Sequence, residues 1–271
     1  MKLGVVQHSL GCGDDVLLAL DRARELGVGT LGISLGPVLR SPALLPQVAE
    51  RAAALGIALE ASWGDRFLDN GAEQPTAPFR AFLRRFCRPL GIRIVGTASG
   101  SDRWDRRWPL GQQLERMAAA LTPLAAVAAE EGAVLALENH ADYRGYEVAQ
   151  IIAAVGSPGL GARLDTANPY AVIEEPLTAA QALAPVTVAT HVKDLRVRPK
   201  HQGLLSLVGC GLGEGDVDLR AILSLLAARA PDPGRLTLTV EVEPPPGVDV
   251  WEATQRSVAW MRSACADLLT G

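Results

Sequence analysis

This sequence of 271 residues has little of what identifies several common protein classes. Its net charge is only −4, and its basic residues cluster just at 103–107, so a nucleic-acid-binding surface is not expected. No apolar run approaches the roughly 20 residues of a membrane span. The apolar pattern that begins at Leu3 is typical of a strand rather than of a signal peptide. The sequence therefore predicts a cytoplasmic protein that binds neither nucleic acid nor a membrane.

Cysteine, histidine and lysine are scarce as well. The four cysteines are scattered without a C-x-x-C pair, which argues against a zinc ribbon or a disulfide framework and is typical of a reducing compartment. Of the 26 basic residues, only Lys2, Lys193 and Lys200 are lysines, so a lysine inside a motif is informative. No G-x-G-x-x-G follows the first apolar run, which disfavours a doubly wound, dinucleotide-binding sheet.

What the sequence does contain is a regular alternation of strand-like and helix-like segments, repeated eight times. Such alternation predicts a parallel sheet, and a chain of this length fits one closed barrel better than two domains. We therefore predict an α/β fold, a (β/α)8 TIM barrel that forms a single domain over residues 1–271, with 195–217 as a loop insertion. The predicted strands are 3–10, 30–35, 58–63, 92–97, 133–140, 161–168, 188–194 and 236–243.

Four acidic or imidazole side chains lie near the ends of the last four predicted strands. Parallel strands bring their carboxyl ends to one rim of a barrel, so these side chains are expected to converge. Oxygen and nitrogen ligands of this kind suit a divalent cation that keeps positions open for water or substrate, whereas burying them unpaired is costly. The alternative is a salt-bridge network with Arg163 or Lys193. The predicted metal ligands are Glu138, Asp165, His191 and Glu241.

Strand periodicity adds candidate pocket residues, because side chains two positions apart share a face. His140 shares a face with Glu138, and Lys193 shares one with His191, so both are predicted to contact substrate. Their alternatives are a hydrogen-bonded core histidine and a salt bridge. His8 is predicted either to line the pocket or to be a buried, hydrogen-bonded histidine.

Several aromatic and glycine residues near the predicted strand ends leave two interpretations open. Trp63 ends the third strand and is predicted to form a pocket wall. Trp104 and Trp108, after the fourth strand, form either a lid or an interface. The glycines at 213–215 are a plain turn or an oxyanion site at a helix N-terminus. The turn is favoured, and with no clear phosphate cradle the substrate is expected to be unphosphorylated.

Five short motifs, in this order, resemble those of the xylose-isomerase-like TIM-barrel superfamily, and within it the sugar phosphate isomerase/epimerase group. The resemblance spans the chain and is strongest over 133–244. The motifs are Leu137-Glu138-Asn139-His140, Leu164-Asp165-Thr166-Ala167-Asn168, His191-Val192-Lys193-Asp194, Gly213-Glu214-Gly215-Asp216-Val217-Asp218 and Val240-Glu241-Val242-Glu243.

This resemblance implies a Mn2+ or similar ion, with Mg2+, Co2+ or Zn2+ as alternatives, held by the four ligands named above. It also implies that Glu138 and Glu241 move a proton on opposite faces of a ketose. Two positions depart from the ketose epimerases: Asn168 stands at a substrate-contacting position where they have histidine, and Val197 stands where they have arginine. Ketohexose epimerisation is therefore implied less firmly than the metal site.

The expected activity is that of a metal-dependent isomerase or epimerase acting on a small carbohydrate through an enediolate. Loss of a β-substituent or of CO2 from the same intermediate gives the alternative, a lyase on a sugar-derived keto compound: a decarboxylase, a dehydratase or a C-glycoside-cleaving enzyme. An arginine reaching the pocket would favour that lyase.

A non-catalytic sugar-binding protein is disfavoured because every ligand is present, and a DNA-repair endonuclease is disfavoured because the chain has only four histidines. A homo-oligomer remains open.

Overall fold

The computed structural model describes residues 1–100, 103, 107–201 and 204–270. Eight parallel strands form a nearly closed barrel surrounded by helices, as the sequence predicted. The barrel strands are β1 Lys2–Val6, β2 Thr30–Gly32, β3 Ala58–Ser62, β4 Ile94–Thr97, β5 Val134–Glu138, β6 Leu160–Asp165, β7 Thr187–His191 and β10 Thr237–Val240; β8 Asp194–Pro199 and β9 Leu205–Cys210 form a separate antiparallel pair.

Each strand pairs with its neighbours in chain order, and β10 returns to pair with β1. A parallel bridge between Val192 and Val240 joins β7 to β10. There the Val192 amide donates to the Thr239 carbonyl at 2.8 Å, and the Glu241 amide donates to the Val192 carbonyl at 2.9 Å. The carboxyl ends of all eight strands therefore lie on one rim.

Helices pack around the barrel and bury one apolar face each against it. The helices are α1 Val16–Glu25, α2 Gly36–Arg40, α3 Leu44–Leu55, α4 Phe67–Asn70, α5 Ala77–Phe82, α6 Leu110–Glu130, α7 Gly145–Val155, α8 Pro176–Leu183, α9 Leu219–Arg229 and α10 Val250–Ala264. No helix in the described part of the chain is both long and apolar enough to cross a membrane.

Local sequence signals explain where the first helices begin and end. The Asp15 carboxylate accepts a hydrogen bond from the Leu18 amide and caps α1, as expected for this residue type. Gly56 ends α3 in the left-handed conformation, with φ of +67°. Ser41 ends the short helix α2, and α3 begins at Leu44 without a side-chain cap.

Two further predictions need correction. The strands are shorter than predicted, so His8 lies in a 3-10 turn after β1 and His140 lies beyond the end of β5. The predicted loop insertion at 195–217 instead contains most of the β8–β9 hairpin. In β8 Leu195 and Val197 alternate with other residues, which is the period of a strand, whereas in β9 Leu207 and Val208 are adjacent.

Candidate metal and active site

The strand-end side chains converge at the rim as the sequence predicted. Glu138, Asp165 and His191 end three consecutive strands, β5, β6 and β7, and each offers a ligand atom, all within 4.8 Å of one another. Glu241 follows β10, and its Oε2 lies 3.3 Å from Nδ1 of His191; Oε2 of Glu138 lies 3.4 Å from the same nitrogen. The two glutamates therefore flank the histidine.

A second group of potential ligands adjoins the first through Glu241. His8 Nε2 lies 3.1 Å from Oε1 of this glutamate, and Glu243 completes the group. The Lys193 ammonium lies among the carboxylates, with Nζ 3.1 Å from both Glu241 Oε2 and Glu243 Oε2 and 3.6 Å from Asp165 Oδ2. Lys193 thus supplies positive charge within the cluster.

Three of the candidate ligand atoms are buried and make no hydrogen bond of normal geometry among the described residues, although each faces an oppositely charged group of the cluster: Asp165 Oδ2, His191 Nδ1 and Glu241 Oε2. Buried polar atoms rarely lack a hydrogen bond, because charge contacts replace only part of the lost hydration. A cation with ligand bonds of about 2.0–2.2 Å would satisfy all three. The residues present therefore fit a divalent metal ion.

The other carboxylate oxygen of Asp165 already accepts hydrogen bonds from the protein backbone. Its Oδ1 accepts hydrogen bonds from the amides of Ala167 and Asn168, both at 2.8 Å. The backbone of Asp165 is held by Asn139, whose side chain donates to the Asp165 carbonyl at 2.9 Å and accepts from its amide at 2.8 Å. These contacts fix the carboxylate so that Oδ2 alone faces the site. Asn139 was not among the predicted ligands or substrate contacts.

Two hydroxyl groups hold neighbouring segments in the same way. Thr166 Oγ1 accepts from the Lys193 amide at 2.8 Å and donates to its carbonyl at 2.6 Å. Ser9 Oγ accepts from the Val242 amide at 2.8 Å and lies 3.2 Å from its carbonyl oxygen. The backbone at Lys193 and at Val242 lies beyond the regular strand pairing. The two hydroxyl groups therefore hold neighbouring chain segments together where the backbone hydrogen bonds of the sheet stop.

Electrostatics keep the two glutamates charged. Burial acts to raise the pKa of Glu138, but the nearby His191 and Arg163 lower it below its usual range. Burial likewise opposes ionisation of Glu241, yet the hydrogen bond from His8 and the charges of His191 and Lys193 lower its pKa. Both carboxylates are therefore available as anions.

The buried charges raise the pKa of the remaining three groups. For Asp165, burial and the two glutamates raise the pKa to about 6. Burial would lower the pKa of Lys193, but its carboxylate neighbours raise it. The same holds for His191, whose pKa the glutamates raise. A cluster so rich in negative charge attracts cations.

An arginine that was predicted either to form a salt bridge with the ligands or, by reaching the pocket, to favour a lyase lies beneath the ligands. Arg163, from β6, is buried, and its guanidinium lies 3.9 Å from Glu60 of β3 and 4.0 Å from Glu138. Its NH1 also donates to Ser62 Oγ at 3.2 Å. Gly96 makes room for it, since a Cβ there would overlap the guanidinium. Glu60 was missed because nothing in the sequence pairs β3 with β6 across the barrel.

The site opens into a cavity of about 550 Å3, here called the polar cavity. It lies at the carboxyl-end rim, and both Arg163 and Glu60 line it. Its further polar lining includes Gln7, His8 and His191. A space of this size accommodates a small carbohydrate.

The predicted substrate residues fall into different positions. Asn168 Nδ2 donates to Glu138 Oε1 at 3.3 Å, so this residue lies at the site. His140 is exposed beyond β5 and lies near Asp142 rather than among the ligands. Trp63 packs against Phe79 and Phe82, with ring centroids 5.5 and 4.9 Å away, and lines a separate cavity.

The remaining open interpretations concern loops. Trp104 lies outside the described residues; Trp108 is half-buried, with the Arg116 guanidinium 4.2 Å from its ring centroid. At the glycine turn, the amides of Gly213 and Gly215 donate to Asp194 Oδ2 at 3.0 and 2.9 Å. A carboxylate of the protein therefore fills the place that an oxyanion would take.

Comparisons with known proteins agree with the fold. A family model described as xylose isomerase-like TIM barrel matches residues 20–264. Among curated sequences, the uncharacterized protein YihM of Escherichia coli (strain K12) is 27% identical over 108 residues, a stretch that spans 40% of this chain and only 33% of that protein.

Solved structures match over nearly the full chain. The IOLI protein with a bound zinc atom superposes with a TM-score of 0.77 at 18% identity, covering 100% of both chains. An L-ribulose 3-epimerase gives 0.75 at 18%, covering 98% of this chain and 95% of that one. The probable 3-DHS dehydratase AsbF of Bacillus anthracis gives 0.76 at 13%, covering 97% and 99%. At these identities the likeness is one of fold.

Proposed function

Because the chain belongs to the xylose isomerase-like TIM barrel family, we propose that it is a divalent-metal-dependent isomerase or epimerase of a sugar or sugar-derived ketone. The observation that carries this proposal is the convergence at the barrel rim of three buried ligand atoms that make no hydrogen bond among the described residues. L-Ribulose 3-epimerase, which shares the fold, has an activity of this kind, whereas AsbF, which shares it as well, is a probable dehydratase and corresponds to the lyase alternative.

Glu138, Asp165, His191 and Glu241 are the residues that would hold the ion. When bound, the ion would polarise a substrate carbonyl and stabilise negative charge that develops on its oxygen. We propose Mn2+, with Mg2+, Co2+ and Zn2+ as alternatives, because oxygen and imidazole ligands accept all of these.

Glu138 and Glu241 are the proposed acid/base pair. They come from β5 and β10, on either side of β6 and β7, and so flank the position between them. Their lowered pKa values favour the anionic form that accepts a proton. One carboxylate removes the proton α to the carbonyl, and the other returns a proton from the opposite face, which inverts that centre.

Other side chains orient the substrate and the carboxylates. Asn168 and His8 hold one oxygen each of Glu138 and Glu241, which directs the other oxygen of each toward the site. The Lys193 ammonium can donate to a substrate hydroxyl, since it lies between carboxylates at the cavity rim. His140 is exposed and would contact only a substrate that extends past the rim. The filled turn at Gly213 and Gly215 supports an unphosphorylated substrate.

A lyase acting on a sugar-derived keto acid is the second candidate. It is favoured by Arg163, whose guanidinium lines the polar cavity, where it can pair with a substrate carboxylate. However, the guanidinium already faces Glu60 and Glu138, which compete for it. The isomerase or epimerase therefore remains the first proposal.

The test is a metal analysis combined with deuterium exchange from solvent into a panel of neutral ketoses and sugar acids. We expect one divalent ion per chain, exchange at a carbon adjacent to a carbonyl, loss of exchange on chelation and recovery with Mn2+. Exchange that survives complete metal removal would contradict the proposal. Exchange confined to sugar acids, with release of water or CO2, would favour the lyase.

A further inference from the structure

A second cavity, of about 530 Å3, opens beside the polar cavity, between the ends of β2 and β3 and helix α5. We call it the side cavity. Its walls are mainly apolar and partly aromatic, and the side chains that define it are Ile33, Leu35, Leu39, Trp63, Phe82 and Phe86.

The two cavities share part of their lining. Ile33, Ser34 and Ser62 line both. Ser62 Oγ accepts a hydrogen bond from Arg163, and Arg163 lies 4.0 Å from Glu138 Oε2. Only Ser62 and Arg163 therefore separate a group in the side cavity from a proposed catalytic carboxylate, which is close enough for both to contact the same small molecule.

The chemistry of the side cavity differs from that of the metal site. Leu39 is 48% exposed, which leaves apolar surface in contact with water. Trp63 Nε1 is buried and has no hydrogen-bond partner among the described residues. The Nε1 atom is not accessible from the cavity, so the walls offer aromatic faces and apolar contact. Ser34, Ser62 and Arg85 supply its polar side chains.

We propose that the side cavity binds an aromatic group attached through oxygen to the keto sugar that the metal site acts on, so that the substrate class is the aryl glycosides whose sugar carries a free ketone. An aromatic ring suits walls formed by Trp63 and Phe82, since such pairs gain energy beyond area burial. A second sugar fits less well, because its hydroxyls need more polar partners than these walls provide. This inference rests on the proposed function.

The test measures binding rather than turnover. Dissociation constants are determined by calorimetry, with Mn2+ present, for pairs of methyl and phenyl glycosides of several keto sugars and for the matching keto disaccharides. Burying a phenyl group should tighten binding roughly tenfold or more relative to methyl for at least one sugar. The disaccharide should bind no better than the methyl glycoside.

A variant that fills the side cavity makes the test specific. Ala81 is exposed on α5 and lines this cavity, so Ala81→Trp should remove the phenyl preference without disturbing the core. Ala154→Trp, on the exposed face of α7, is the matched control and should keep it.

Three results would overturn the inference: no sugar showing a phenyl preference, a preference that survives Ala81→Trp, or a disaccharide that equals the phenyl glycoside. Deuterium exchange is read separately. Exchange without a phenyl preference refutes the aryl group alone, and a phenyl preference without exchange refutes the isomerase or epimerase alone.

Discussion

The two halves of the barrel differ in what they contribute to the rim. Strands β5, β6, β7 and β10 carry the four candidate ligands and Lys193, all within one network of charges. The segments after β2 and β3 line both cavities and contribute largely apolar walls. Under the proposed function, this difference amounts to a division of labour. The second half of the barrel would carry out the proton transfer, and the first half would select the substrate.

The largest expected effect falls on the proposed acid/base pair of the second half. Glu138→Gln and Glu241→Gln each keep the volume and one oxygen donor but remove the charge that accepts a proton. We expect each to lower turnover by roughly 10²–10⁴-fold. Deuterium exchange and turnover of the same substrate provide the measurement, and Glu130→Gln, an exposed change on α6, is the control. Near-native turnover in both variants would assign the proton transfer to other groups.

The next effect concerns the ion itself. Asp165→Ala removes the buried Oδ2, so we expect the affinity for Mn2+ to fall by more than 100-fold, beyond the roughly 10–100-fold typical of residues that only support a ligand. Calorimetric titration of metal-free protein gives the dissociation constants. Asp232→Ala, at an exposed carboxylate, should bind Mn2+ like the native chain. Unchanged affinity in the Asp165 variant would remove this residue from the site.

A smaller effect is expected where a side chain supports a ligand without binding the ion. Asn139→Ala breaks both hydrogen bonds to the Asp165 backbone, so Mn2+ affinity should fall by roughly 10–100-fold. The same titration measures it, and circular dichroism establishes that the barrel persists. An affinity equal to that of native protein would mean that the strand pairing alone positions Asp165.

The smallest effect tests the independence of the two halves. Ala81→Trp fills the side cavity but contacts none of the candidate ligands, so Mn2+ affinity should stay within about twofold of native, as expected for sites without shared partners. A large loss of Mn2+ affinity would show that the halves are coupled and would end the division of labour drawn above.

The sequence predicted the second half better than the first. Residues such as Asp165 and His191 each end a buried strand, and a charged residue at the end of an apolar run is visible without coordinates. Parallel pairing then requires that they meet. The predicted strands were too long because the chain turns soon after each candidate ligand, and the local pattern of apolar residues does not indicate that turn.

The features that escaped prediction depend on contacts across the barrel. The Arg163–Glu60 pair joins β6 to β3, which are far apart in sequence and not neighbours in the sheet. The side cavity arises from the packing of α5 against two loops, which no periodicity encodes. The β8–β9 hairpin was interpreted as loop, because only β8 has the alternation of a strand and the leucines of β9 are exposed.

The side chains that extend the sheet past its strand ends have a consequence for transplanting this site. Asn139 follows Glu138 but holds Asp165, Thr166 follows Asp165 but holds Lys193, and Ser9 follows His8 but holds Val242. Each short motif thus contains one residue that lies at its own strand end and one that holds the backbone of a neighbouring strand end. Grafting a single motif onto another barrel would transfer a candidate ligand without the residue that holds its backbone. Adjacent motifs would have to be grafted together.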